Sequence, residues 1–215
     1  TTQTQPAYKY YWEADQPDRY HLSSGNTTEL FVDRDNGLWI GTFEGGVNYA
    51  DLNQKAFFLM QRNSDQGDQT LSGNFIRALL EDRQGKLWIG TRSNGLDCFD
   101  PKTGRFSHFK YHPQDEAGLG SDNVRSLAED RQGRIWVGTL QGISVLSADQ
   151  KRFSHLRYDP SNPNSITDNI IFSMAQDKFG QMWAGSWNRG LNRIVESKAQ
   201  FAVQRLYAGQ GGGLT

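Results

Sequence analysis

The sequence predicts an all-β fold of propeller blades, four-stranded antiparallel sheets set around an axis. Three observations predict it. A pattern built on a tryptophan recurs four times, with Trp39, Trp88, Trp136 and Trp183 spaced 49, 48 and 47 residues apart. A phenylalanine follows in every period, at Phe57, Phe106, Phe153 and Phe201, on nearly the same spacing. Between them lie short apolar stretches divided by glycine-bearing turns, with no helical periodicity. Four strand signals in a period near 48 residues describe one blade, which covers its faces by stacking on its neighbours.

The elements follow in order. Residues 1–21 do not repeat, although Tyr8-Lys9-Tyr10-Tyr11-Trp12 is aromatic enough for a strand. The repeats occupy 22–70, 71–118, 119–165 and 166–213, and Leu214-Thr215 opens a further one. The first strand of a unit ends at an aspartate, as in Val124-Arg125-Ser126-Leu127-Ala128 before Glu129-Asp130. A turn follows on Gly85, Gly133 and Gly180, replaced by Asn36-Gly37 in the first unit, residues suited to positive φ. The tryptophan strand is second, and the third begins after Gly46, Gly95, Gly142 and Gly190. The fourth carries the phenylalanine, and a polar, Pro-rich connection that reads as non-helical leads to the next unit.

The repeated D-R-x-G-x-(L/I)-W-(I/V)-G-T unit, seen in full at Asp82–Thr91 and Asp130–Thr139, resembles the two-component regulator propeller repeat. The resemblance runs from about Leu22 to the C-terminus. It implies the periplasmic sensor region of a membrane-bound hybrid histidine kinase, built as a seven-bladed propeller and commonly responding to oligosaccharides. It also implies further repeats or a second subunit, a dimer in the parent protein. Membrane attachment and kinase output would then lie elsewhere in that protein. Four repeats in place of seven read as a piece of a larger propeller, as does a start at Thr1 without Met.

Composition narrows the function classes. A net charge of −1 offers no basic face for nucleic acid, and no apolar run reaches the length of a membrane span. Cys98 is the single cysteine and reads as a small core residue. The aspartates at 33, 82, 130 and 177 stand once per blade beside a turn, where a carboxylate accepts backbone N–H groups. His108 and His155 share one repeat position, and no spacing matches a metal site. No phosphate loop, nucleophile elbow or paired carboxylates stand out, so the sequence implies no catalytic residue, no metal and no cofactor.

Specific chemistry is expected where the blades differ. The loops between second and third strands carry Phe43 and Glu44, Arg92 and Asn94, Gln141, and Trp187, Asn188 and Arg189. Aromatic rings pack on sugar C–H faces, Asn pairs hydroxyls, and Arg grips a carboxylate or sulfate. Arg77 and Arg125 hold equivalent first-strand positions, with Phe172 at the same place in the fourth unit, facing a central channel. These ten residues, Phe172 not among them, form the expected ligand site for an oligosaccharide or other small molecule. A protein-interaction scaffold and a propeller lyase or hydrolase are the competing readings.

Overall fold

The structure, a computed structural model, describes residues 22–51, 56–197 and 200–207. The expected strand at Tyr8–Trp12 and the opening of a further repeat at Leu214 lie outside them. Among the described residues sixteen strands form four antiparallel sheets, each in simple chain order. The first sheet holds β1 (Thr27–Val32), β2 (Gly37–Thr42), β3 (Val47–Asp51) and β4 (Ala56–Met60). The second holds β5 (Ile76–Glu81), β6 (Leu87–Thr91), β7 (Leu96–Asp100) and β8 (Arg105–Phe109). The third holds β9 (Val124–Glu129), β10 (Ile135–Thr139), β11 (Gly142–Leu146) and β12 (Phe153–Leu156). The fourth holds β13 (Ile171–Gln176), β14 (Met182–Ser186), β15 (Leu191–Ser197) and β16 (Gln200–Leu206). The fold is all-β, as expected. One connection departs from expectation: Ser64–Gln69 forms a 3-10 segment, because the Asn63 side chain accepts from Asp65 N–H and starts the turn.

Each aspartate does more than close its turn. Asp82 Oδ1 accepts from the N–H groups of Gln84 and Lys86, while Oδ2 accepts Trp88 Nε1–H at 2.8 Å. The same bond joins Asp33 to Trp39, Asp130 to Trp136 and Asp177 to Trp183, at 2.8 to 2.9 Å. One carboxylate therefore fixes both the turn and the orientation of the ring six residues on. At Asp177 the bond from Trp183 is the main reason its carboxyl lies below the usual range. Asn36 adopts φ 64° where the other three turns have glycine, so the expected substitution holds.

The tryptophan of each of the first three sheets faces the next sheet. Trp39 clusters with Ile76 and Ile89 of the second sheet and with Leu71 in the connection before it, and Trp88 with Val124 and Val137 of the third and Leu119 before it. Trp136 packs with Ile166, Ile171 and Met182 of the fourth. Among the described residues no core cluster joins the fourth sheet to the first, and Trp183 is accordingly only half-buried. Arginines staple the seams at the turns. Arg34 donates to the carbonyls of Asp82 and Arg83, Arg83 to that of Arg131, and Arg131 to that of Lys178. The loop glycines are equally specific. Gly95 has φ 85°, and a Cβ there would lie 2.2 Å from the Phe109 carbonyl oxygen.

Cys98 sits buried in the second sheet's seam, and burial pushes its thiol up to about 12 from 9.0. That shift lowers the neutral-pH thiolate population by about a thousand-fold, so native Cys98 should resist a disulfide reagent and react at once in denaturant. Rapid native labelling would mean that the seam opens. His108 and His155 are repeat positions as expected: His108 Nδ1 lies 2.7 Å from buried Asp97, and His155 Nδ1 lies 3.2 Å from Ser144.

Candidate functional site

The first strands share an irregularity that the sequence did not reveal. In β1 the pairing with β2 passes from Thr27 to Glu29, and in β5 from Ile76 to Ala78. In β9 it passes from Val124 to Ser126, and in β13 from Ile171 to Ser173. The residue left out is Thr28, Arg77, Arg125 or Phe172. A bulge of this kind takes one side chain out of the pleat and re-aims it. Successive first strands are neighbours, and one cavity of about 390 Å³ is lined by Thr28, Glu29, Phe75, Arg77, Arg125 and Phe172, drawing on all four sheets. That volume suits a small sugar unit.

The loops after the tryptophan strands fold back over the same end. Phe43 N–H bonds the Asn26 carbonyl, Arg92 N–H that of Phe75, and Trp187 N–H that of Ile170. Loop side chains thereby meet the bulge residues. Phe43 and Phe75 pack with ring centroids 3.8 Å apart. Arg92 and Arg77 both lie over the Phe75 ring, at 4.9 and 5.2 Å. Arg125 lies 4.7 Å from the Phe172 centroid, and Phe172 stacks on Trp187 at 4.6 Å and 28°. Phe172 is 38% and Trp187 59% exposed, so this pair presents its free surface to solvent.

Electrostatically the cluster is cationic. Burial lowers the pKa of Arg77, with Arg125 and Arg92 adding to the effect, and burial then Arg92 lowers that of Arg125. Arg125 Nε donates to Asn123 Oδ1 at 3.0 Å, whereas Arg77 Nε is buried with no hydrogen-bond partner. Glu29 lines the same cavity, and burial pushes its carboxyl up.

Of the residues expected from sequence, Phe43, Arg77, Arg92, Arg125 and Trp187 come together here. Asn188 borders the group, within 3.2 Å of the Trp187 carbonyl and Nε1. Two of the expected residues have neighbours outside this group. Asn94 packs against Gly73, where an added Cβ would lie 2.4 Å from its Oδ1, because the connection into its own sheet passes beneath it. Arg189 lies over Tyr158 at 5.2 Å, beside Arg205, because that half-buried ring offers a cation–π partner. Glu44 and Gln141 are exposed in their loops and do not line the cavity. Phe75 was missed. Its repeat equivalents are Asn26, Asn123 and Ile170, so the rule of looking where blades differ would have found it.

The other grooves have less to offer. The one between the third and fourth sheets holds Arg134, already bonded to Asp130 and Glu196. Among the described residues no group of three His, Cys, Asp or Glu side chains could hold a metal ion.

Comparisons with known proteins agree with the architecture. No curated protein matches the chain in sequence. Among solved structures it is similar to the extracellular domain of a hybrid two component system of B. thetaiotaomicron. The TM-score is 0.75 at 22% identity, over 93% of this chain and 26% of that one. A second such domain from the same organism gives 0.67 at 25% identity, over 83% of this chain and 22% of the other. The chain thus spans about a quarter of those domains. A catalytically inactive virginiamycin B lyase from Staphylococcus aureus gives 0.63 at 14% identity, over 86% of this chain and 57% of the lyase. The two component regulator propeller family matches residues 21–44, 70–93, 118–141 and 165–188. Each matched segment carries the aspartate turn, the tryptophan strand and the start of the variable loop, and the chain belongs to the two component regulator propeller family.

Proposed function

We propose that this propeller is an extracytoplasmic input module of a membrane-bound hybrid two component system, and that its axial cavity binds an oligosaccharide. The observation that carries the reading is the solvent-facing Phe172–Trp187 stack beside a cavity lined with guanidinium groups. The outer surface of two stacked rings offers a face for pyranose C–H groups, and planar donors beside them suit hydroxyl and acid substituents. The extracellular similarity of the solved relatives supports the location. Signalling follows from binding only if the ligand prefers one of two arrangements, such as two poses of paired subunits, since equal affinity for both shifts nothing.

The reading is tested by thermal shift with a panel of oligosaccharides on the full-length protein. A ligand that binds only the folded state at a hundred times its Kd adds about 2.7 kcal/mol, a rise of several degrees. A flat response to every glycan, with another protein co-purifying through the propeller, would replace the sensor by a scaffold.

A further inference from the structure

We propose that Arg77, Arg92 and Arg125 form an anion subsite at the mouth of the axial cavity, selecting an oligosaccharide that carries carboxylate or sulfate groups. The inference rests on the reading of this cavity as a glycan site and adds the chemical class of the glycan.

The repeat itself separates fold from function. The bulge position is Thr28 in the first sheet and Phe172 in the fourth, so the sheet forms around a short hydroxyl or a large ring. Nothing in blade packing demands the arginines that stand there in the second and third sheets. The loop position is likewise Phe43, Arg92 and Trp187. Three cations converge where the scaffold accepts uncharged residues.

Their surroundings leave them ready for an anion. Among the described residues none of the three makes an ion pair, although Glu29 lines the same cavity. Phe75 lies against Arg77 and Arg92, and Phe172 against Arg125. A guanidinium stacked on a ring keeps its N–H edge in its own plane, free to meet a carboxylate or sulfate in paired bonds. Among the described residues only one guanidinium donor of the three, Arg125 Nε, is taken by a protein acceptor. Arg77 Nε is the converse, a buried donor left without any acceptor. Like charges held close also repel: beyond the effect of burial, Arg125 and Arg92 lower the pKa of Arg77, and Arg92 lowers that of Arg125. An incoming anion relieves that repulsion, which an uncharged sugar does not.

Position and aromatic content define the ligand further. The arginines line the second and third sheets, and the Phe172–Trp187 stack begins at the fourth, next to Arg125. A sugar ring lying on that stack would direct an acid substituent toward Arg125. The neighbouring unit would then reach Arg77 and Arg92.

The test uses isothermal titration on the full-length protein with a trigalacturonate, a heparin-derived tetrasaccharide and maltotriose, each at low and high salt. Arg77→Thr and Arg125→Phe copy residues that the other sheets hold at the same bulge, so folding should survive, as a circular dichroism melt would verify. Arg152→Gln, on an exposed turn, is the control. The expected result is that one acidic ligand binds and maltotriose does not, with affinity falling as salt rises. Each bulge substitution should weaken that binding about ten-fold or more, the loss of at least one charge-assisted hydrogen bond, and Arg152→Gln should leave it unchanged. Equal binding of maltotriose, unaffected by the arginine substitutions, would overturn the anion subsite and leave the glycan reading intact. If no oligosaccharide binds, sodium sulfate against sodium chloride at matched ionic strength decides. Stabilisation by sulfate that is lost in the Arg77→Thr, Arg125→Phe double variant keeps the anion subsite and removes the glycan. Absence of that difference removes both.

Discussion

Trp136→Ala is expected to destabilise the protein by about 3–5 kcal/mol, a large fraction of the margin that holds an ordinary domain folded. The ring is 2% exposed and fills the seam between the third and fourth sheets. It belongs to one core cluster with Ile166, Ile171, Met182 and Ile194 of the next blade, with the Phe201 ring edge-on at 5.0 Å. Removing it opens a cavity that two pleated sheets cannot close, and Asp130 loses the indole donor. Trp187→Ala provides the contrast. That ring is 59% exposed and touches Phe172 from the solvent side, so its loss should change stability by no more than about 0.5 kcal/mol while weakening ligand binding. Denaturant midpoints followed by circular dichroism distinguish the two substitutions. A midpoint for Trp136→Ala equal to the parent would remove the seam account. An equal fall for both would make Trp187 a packing residue and take it out of the site.

The contrast also explains what the sequence could disclose. Trp88 and Asp82 were readable because the same pair recurs in every blade, and a repeated pair must serve the frame. The hydrogen bond between them was not readable, since a six-residue spacing names no contact until the turn brings the carboxylate over the indole. The bulge at Arg77 was hidden for another reason. It consists of one residue skipped in pairing with β6, and no residue type marks such a skip. Arg77 and Arg125 were nonetheless expected at the channel because their equivalence survives the bulge, which is itself repeated. The loop residues fared unevenly. Trp187 and Arg92 follow directly from a strand whose direction was known, whereas Arg189 and Asn94 lie further along and obey local contacts with Tyr158 and Gly73. Phe75 escaped because it resembles the apolar residues that follow it in β5.

Asp130→Ala should approach the effect of losing the tryptophan, at about 3–5 kcal/mol, because this carboxylate is almost completely buried and accepts four bonds. Oδ1 receives Gln132 N–H at 2.9 Å and Arg134 N–H at 3.0 Å. Oδ2 receives Trp136 Nε1–H at 2.8 Å and Arg134 Nε–H at 2.6 Å. Alanine leaves every one of those donors facing a void. Asp130→Asn separates hydrogen bonding from shape. The amide fits the same space, but its NH2 must point at one of the two donor pairs, so two bonds become donor–donor contacts. A loss of about 2–4 kcal/mol is expected, with the Arg134 charge still paired to Glu196 at 2.8 Å. Asp177→Asn should cost less than Asp130→Asn, because Asp177 and the ring that it holds, Trp183, are only half-buried. Chemical denaturation of the three variants ranks them. If Asp130→Asn matches the parent, the carboxylate is not what orients the indole, and shape alone holds the turn. If Asp177→Asn costs as much as Asp130→Asn, the outer seam is packed as tightly as the inner one, and the half-exposed Trp183 would need a partner beyond the four sheets.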